Sequence, residues 1–120
     1  MVELIWELNG VVRKITGSAT ADDLDASAKQ IQSDSRLDTL KYIIHDFCDA
    51  DEISVSETDI QFMAARACIS LRKNPRVKIA FAGSHPVAIK LTDAFNTLGI
   101  SHHRIARHNT FHDARSHALA

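Results

Sequence analysis

Val77-Lys78-Ile79-Ala80-Phe81-Ala82-Gly83-Ser84-His85-Pro86-Val87 is the stretch whose reading decides the fold. Val77 to Ala82 is a compact run rich in apolar residues, the composition of a buried strand. Gly83-Ser84-His85-Pro86 then turns the chain and opens a helix, because proline is preorganised for the first helical position. In that helix Val87, Leu91, Ala94, Phe95 and Leu98 share the inward face, and Gly99 is the stop. A buried strand running straight into an amphipathic helix is the step from which α/β folds are built.

The same grammar extends outward on both sides. Ile60, Met63, Ala64, Ala67, Cys68 and Leu71 recur at helical spacing, from a capping-box-like Ser56-Glu57-Thr58-Asp59 to the basic pair Arg72 and Lys73 before Asn74-Pro75. Leu40 to Phe47 is rich in strand formers and too short for a helix, so it reads as a largely buried strand that stops at an acidic loop. Ala21-Asp22-Asp23 followed by Leu24, Ala28 and Ile31 predicts a helix ending near Ser33. Val2 to Leu8 and Val11 to Thr16 flank Asn9-Gly10, a two-residue hairpin signal, with Gly17-Ser18 after the second strand. His103 to Ala106 reads as a last strand, and Thr110-Phe111-His112-Asp113 caps a helix to Leu119. The order β-β-α-β-α-β-α-β-α predicts one α/β domain over residues 1–120, a mixed β-sheet with an opening β-hairpin and flanking helices.

The 120 residues are 45% hydrophobic and 24% charged, which fits a globular domain rather than a disordered or fibrous chain. A net charge of −1 gives no basic excess for a nucleic-acid backbone or an anionic membrane. The apolar runs are far shorter than the ~20 residues of a membrane span, and Met1 to Trp6 alternates like a strand rather than a signal segment, so the expected location is cytoplasmic. Cys48 and Cys68 are too isolated for a disulfide framework or a metal knuckle and are expected as reduced, buried thiols.

The order of elements resembles the STAS domains, and especially the bacterial SpoIIAA-like group related to the Sec14 lipid-binding fold. The resemblance spans nearly the whole chain. It is carried by the opening hairpin, Tyr42-Ile43-Ile44-His45-Asp46-Phe47, the loop Asp49 to Val55, the helix from Ser56, the quoted Val77 to Val87 stretch and the closing Phe111-His112-Asp113-Ala114-Arg115. STAS phosphoproteins carry Asp-Ser-Ser-Gly after this loop and are phosphorylated on the second Ser. The corresponding stretch here is Ser54-Val55-Ser56-Glu57, so Ser56 falls at the phosphorylatable position while Ser54, Val55 and Glu57 replace the Asp, the first Ser and the Gly. The resemblance implies a non-enzymatic regulatory domain that acts through protein–protein interaction, with phospho-switching at Ser56. The alternative it implies is binding or sensing of a lipid or other small apolar ligand in a Sec14-like pocket.

Each candidate residue also has a structural reading. Ser56 suits an N-cap, and a phosphate on it would gain from the helix N-terminus but would sit among Asp49, Asp51, Glu52, Glu57 and Asp59, so its partner would be basic. The acidic loop lacks the spacing of an EF-hand and reads as a solvated turn. Of seven histidines, five (His102, His103, His108, His112 and His117) crowd the end of the chain. Asn109-Thr110 interrupts the His108/His112 pair and there is no HExxH, so no metal or other cofactor is expected. At the carboxyl ends of the strands, Asp46, Ser54 and Ser56 are expected near Ser84-His85 and His108-Asn109-Thr110 in a shallow polar site. There His85 is an anion ligand or base, or simply a helix-start residue. Ile60, Phe62, Met63, Ile69, Phe95 and Ile100 are candidate walls for an apolar ligand. Phe62, off the inward stripe, is expected to be exposed on a homodimer or ligand surface.

Overall fold

The computed structural model describes residues 1–98 and 104–120. The expected stop at Gly99, Ile100 as a pocket wall, and His102 and His103 lie outside the described residues.

The elements follow the predicted order: β1 (Val2–Trp6), β2 (Gly10–Thr20), α1 (Ala21–Ser33), a 3-10 turn (Ser35–Thr39), β3 (Tyr42–Ser54), α2 (Glu57–Leu71), β4 (Lys78–Ala82), α3 (Pro86–Thr97), β5 (Ile105–His108) and α4 (Phe111–Leu119). They form a five-stranded mixed sheet in the order β1-β2-β3-β4-β5. Among the described residues the β1/β2 pair is antiparallel and the other three pairs are parallel. Three successive parallel crossovers progress in one direction across the sheet, and crossovers of one hand then stack their helices on one face. Accordingly α1, α2 and α3 cover the odd-numbered residues Val11, Ile15, Ile43, Phe47, Ile79 and Phe81. The even-numbered Val12, Tyr42, Ile44, Ala80 and Ala82 pack instead against Ala114 and Ala118 of α4.

Sequence signals fix the helix starts. Thr20 Oγ1 accepts from Asp23 N and Ser56 Oγ from Asp59 N (3.2 and 3.1 Å), and each aspartate returns the bond to its cap's N–H, completing two capping boxes. Thr110 Oγ1 accepts from Asp113 N.

Four expectations need correction. The hairpin turn is Leu8-Asn9, closed by Glu7 N–H to Gly10 O at 2.8 Å, and neither turn residue has positive φ. Gly10 serves a different purpose: it pairs with Tyr42, whose ring occupies the space a Cβ would need. Second, β3 does not stop at an acidic loop. Because β2 runs on past Gly17-Ser18 to Thr20, it offers β3 a partner as far as Ser54, through two register shifts around Gly17 (φ 61°). Asp49, Asp51 and Glu52 therefore ride on an exposed two-stranded ribbon. Third, Cys68 is half-buried and Cys48 is exposed, the latter because the β3/β4 pairing ends at Asp46 and Ala82 and gives Cys48 no paired strand residue on that side. Fourth, Leu98 is 45% exposed, since it is the C-cap of α3 and lies beyond the last packed turn.

Candidate functional site

Among the described residues six polar ones are buried: Arg13, Ser27, His45, Asp46, Asn74 and Thr92. In four of them no buried polar atom is left without a partner among the described residues. Ser27 Oγ donates to Leu24 O, Thr92 Oγ1 to Ala88 O, Asn74 Nδ2 to Leu37 O and Leu40 O, and Asp46 Oδ1 accepts from Cys48 N. Arg13 and His45 stand apart, since Arg13 Nε and His45 Nδ1 are buried without a hydrogen-bond partner among the described residues. A buried donor or acceptor left unmade costs about 1–3 kcal/mol, so two adjacent ones call for a purpose.

Both line one cavity of about 70 Å³ between the sheet and α1–α3. Its floor is Arg13, Ile43, His45, Ile79 and Phe81, at odd positions of three adjacent strands. Ile31 and Leu37 close one side, and Leu91 and Phe95 of α3 the other. The half-buried rim comes from α1 (Asp25, Ala28, Gln32) and α2 (Met63, Arg66, Ala67, Ser70). Arg66 Nη1 lies 3.3 Å from Asp25 Oδ1, close but not aligned as a hydrogen bond, so an ion pair ties the two helices at the rim.

The electrostatics follow from this placement. Arg13 Nη1 donates to Leu24 O (3.2 Å) and Ser27 Oγ (3.3 Å), and among the described residues no carboxylate lies in ion-pair contact with it. Burial lowers its pKa to about 10 against the opposing pull of Asp25, so the guanidinium remains a cation near neutral pH. His45 packs 4.8 Å from the Phe81 ring. Burial first, and the Arg13 charge second, push its pKa well below the usual histidine value and hold the ring neutral.

The residues singled out from sequence fall elsewhere. Asp46 is buried on the α4 side of the sheet, the side opposite His45, its neighbour in β3. Ser54 is exposed at the end of the ribbon, opposite Thr20. Ser56 is exposed and caps α2. Ser84 is exposed in the turn before α3, whereas His85 is half-buried there. His85 Nδ1 accepts from Val87 N (3.1 Å), leaving Nε2 to donate to Asp51 O (2.8 Å), so the ring caps α3 and pins it to the ribbon. Phe62 is exposed, as expected, at 65%. Of the expected apolar walls, Met63 and Phe95 do line the cavity.

Arg13 and His45 were not among the sequence candidates, though a signal exists. Each is a polar residue at the centre of an inward-facing apolar triplet, Val11-x-Arg13-x-Ile15 and Ile43-x-His45-x-Phe47. His108 and His117 also meet, with ring centroids 5.4 Å apart, but no cluster of three metal-ligating side chains occurs among the described residues. Comparison with protein-family models and with curated protein sequences finds no match for this chain.

Proposed function

We propose that the chain is a non-enzymatic, SpoIIAA-like ligand-binding domain that holds a small, largely apolar molecule in the cavity between the sheet and α1–α3. The observation that carries this reading is the cavity itself, walled by Ile31, Leu37, Leu91 and Phe95 and placed where α1 and α2 leave a half-buried rim. Concave, mostly apolar sites with a few convergent polar groups are where small molecules bind. The resemblance to STAS and SpoIIAA-like domains supports the reading through the shared order of elements. A deeply buried, neutral His45 beside a cation is a weak base, better suited to holding a ligand than to abstracting a proton. The cavity has room for about five to seven water-sized groups, at roughly 10–15 Å³ each. A small ligand therefore fits without rearrangement, and a lipid chain would require the helices to part. Native mass spectrometry of the protein from its own cells should show a non-covalent mass lost on denaturation. Ala67→Leu, which fills the rim, should abolish that mass; a bare chain from its own cells would refute the reading.

A second reading, the protein-interaction module, is supported by Phe62, Ala65 and Ile69, an exposed apolar stripe on α2 at helical spacing. Self-association through it predicts concentration-dependent sedimentation that Phe62→Lys removes. A monomer at every concentration would set the homodimer aside.

A further inference from the structure

The chemistry of the cavity narrows the ligand, given the reading above that the cavity is a binding site. Three features stand together. Arg13 is 6% exposed, and its Nε–H has no acceptor among the described residues. His45 is 8% exposed, and its Nδ1 is likewise unpartnered. The two residues are register partners on adjacent strands, so their side chains leave the sheet on the same face, side by side. The carboxylate that acts on Arg13 from a distance, Asp25, is turned toward Arg66 at the rim. A planar guanidinium edge with a second donor beside it fits a carboxylate, and burying one negative charge there would offset the uncompensated positive charge.

The buried part of the wall selects against a fully polar anion. Ile31, Leu37, Leu91 and Phe95 offer nothing for phosphate oxygens to bond, and the polar Gln32, Ser70 and Arg66 stand at the half-buried rim, where Arg66 faces Asp25. With Arg66 offset by Asp25, the one uncompensated cation, Arg13 on the floor, neutralises one charge, and the room available matches a molecule of about six non-hydrogen atoms. We propose that the cavity selects a short-chain organic monocarboxylate, its carboxylate accepting from Arg13 Nε–H and from the Nδ1–H of the neutral His45 ring, its hydrocarbon part lying against Ile31, Leu37, Met63, Leu91 and Phe95.

The test uses butyrate, its neutral near-isostere butyramide, and inorganic phosphate as probes on the full chain, by calorimetric titration and by NMR of the Arg13 Nε–H. Butyrate is expected to bind and to move that signal, with phosphate neither binding nor competing. Arg13→Met should weaken butyrate about tenfold or more while leaving butyramide within about twofold. Equal binding of butyrate and butyramide by both proteins would overturn the carboxylate assignment and leave the apolar-cavity reading standing. Phosphate that competes with butyrate would overturn the preference for an organic acid. If neither organic probe binds, the carboxylate assignment falls, while the native mass measurement separately decides the cavity reading. Should Arg13→Met fail to fold, as circular dichroism would show, the wild-type signal decides. Butyrate binding that leaves the Arg13 Nε–H unmoved refutes the contact.

Discussion

Arg13 and His45 are paired in register on the parallel strands β2 and β3, and both side chains enter the same cavity from its floor. That adjacency makes each group an electrostatic neighbour of the other in a region where water screens little. The cation keeps its charge at physiological pH, and the ring beside it is held neutral, so the pair presents one positive charge rather than two.

Replacing Arg13 by Met separates these contributions. Among the described residues no carboxylate is in ion-pair contact with the buried guanidinium, and Met matches much of its length, so the variant is expected to equal the wild type or exceed it by about 1 kcal/mol in urea unfolding at pH 7. Leu24 O keeps the Ser27 hydroxyl as a donor after the change. The pKa of His45, followed by NMR, should rise because the Arg13 charge is gone. It should stay below the usual histidine value because burial, the larger cause, remains.

Acid should weaken the fold in two stages. The folded-state pKa values of His45 and His117 lie below their ordinary 6.5, both chiefly through burial. The unfolded chain therefore binds more protons, and stability present above pH 6.5 falls as the pH drops below it. Glu7 behaves as a depressed carboxylate. Arg115 donates to both its oxygens, at 3.0 and 2.7 Å, outweighing desolvation, and Tyr42 also donates to it. Its contribution is present above its ordinary pKa of 4.5 and is lost as pH falls through the lower folded-state value. Urea midpoints at pH 7.5, 5.5 and 3.5 should decrease in that order, and Glu7→Gln should flatten the last step. A midpoint unchanged between pH 7.5 and 5.5 would contradict the burial of the two rings.

The Asp25–Arg66 pair at the rim should matter for access more than for stability. Both side chains are more than a third exposed, at 35% and 37%, so Arg66→Ala is expected to change unfolding stability by no more than about 0.5 kcal/mol. Removing the long side chain from the rim should nonetheless speed modification of His45 by diethyl pyrocarbonate, read by peptide mass. An unchanged rate would mean that reagents reach the floor by another route.

Elements with a local cause were legible in the sequence. The caps at Thr110 and Ser56, the Pro86 helix start and the α2 stripe each follow from a few neighbouring residues, and each is present. The β3 extension was not legible, because the reason Asp49 to Ser54 are extended lies in the partner strand from Thr16 to Thr20. Gly10 misled for the same reason: its neighbour Asn9 suggests a turn, whereas the ring that requires glycine belongs to Tyr42. The cavity is a tertiary object, built from three strands and three helices. Its only local trace is a charge or an imidazole at an inward position, which becomes meaningful once β2 and β3 are known to be adjacent.

Ser56 carries the sharpest test of a phosphate-operated switch. Its Oγ caps α2 by accepting from Asp59 N, so Ser56→Ala should cost about 1 kcal/mol in urea unfolding. Aspartate caps as well as serine in general, and a negative charge there gains from the helix N-terminus. Against this, Asp59 already returns a bond to Ser56 N at 2.8 Å, and Glu57 adjoins it, although Glu57 is occupied by Lys90 Nζ at 2.7 Å. With Glu57 neutralised and the site exposed, Ser56→Asp is expected to stay within about 0.5 kcal/mol of the wild type. A loss as large as that of Ser56→Ala would mean that the acidic first turn rejects a further negative charge. A phosphate, which carries more charge, would then loosen the start of α2 instead of displaying it to a basic partner.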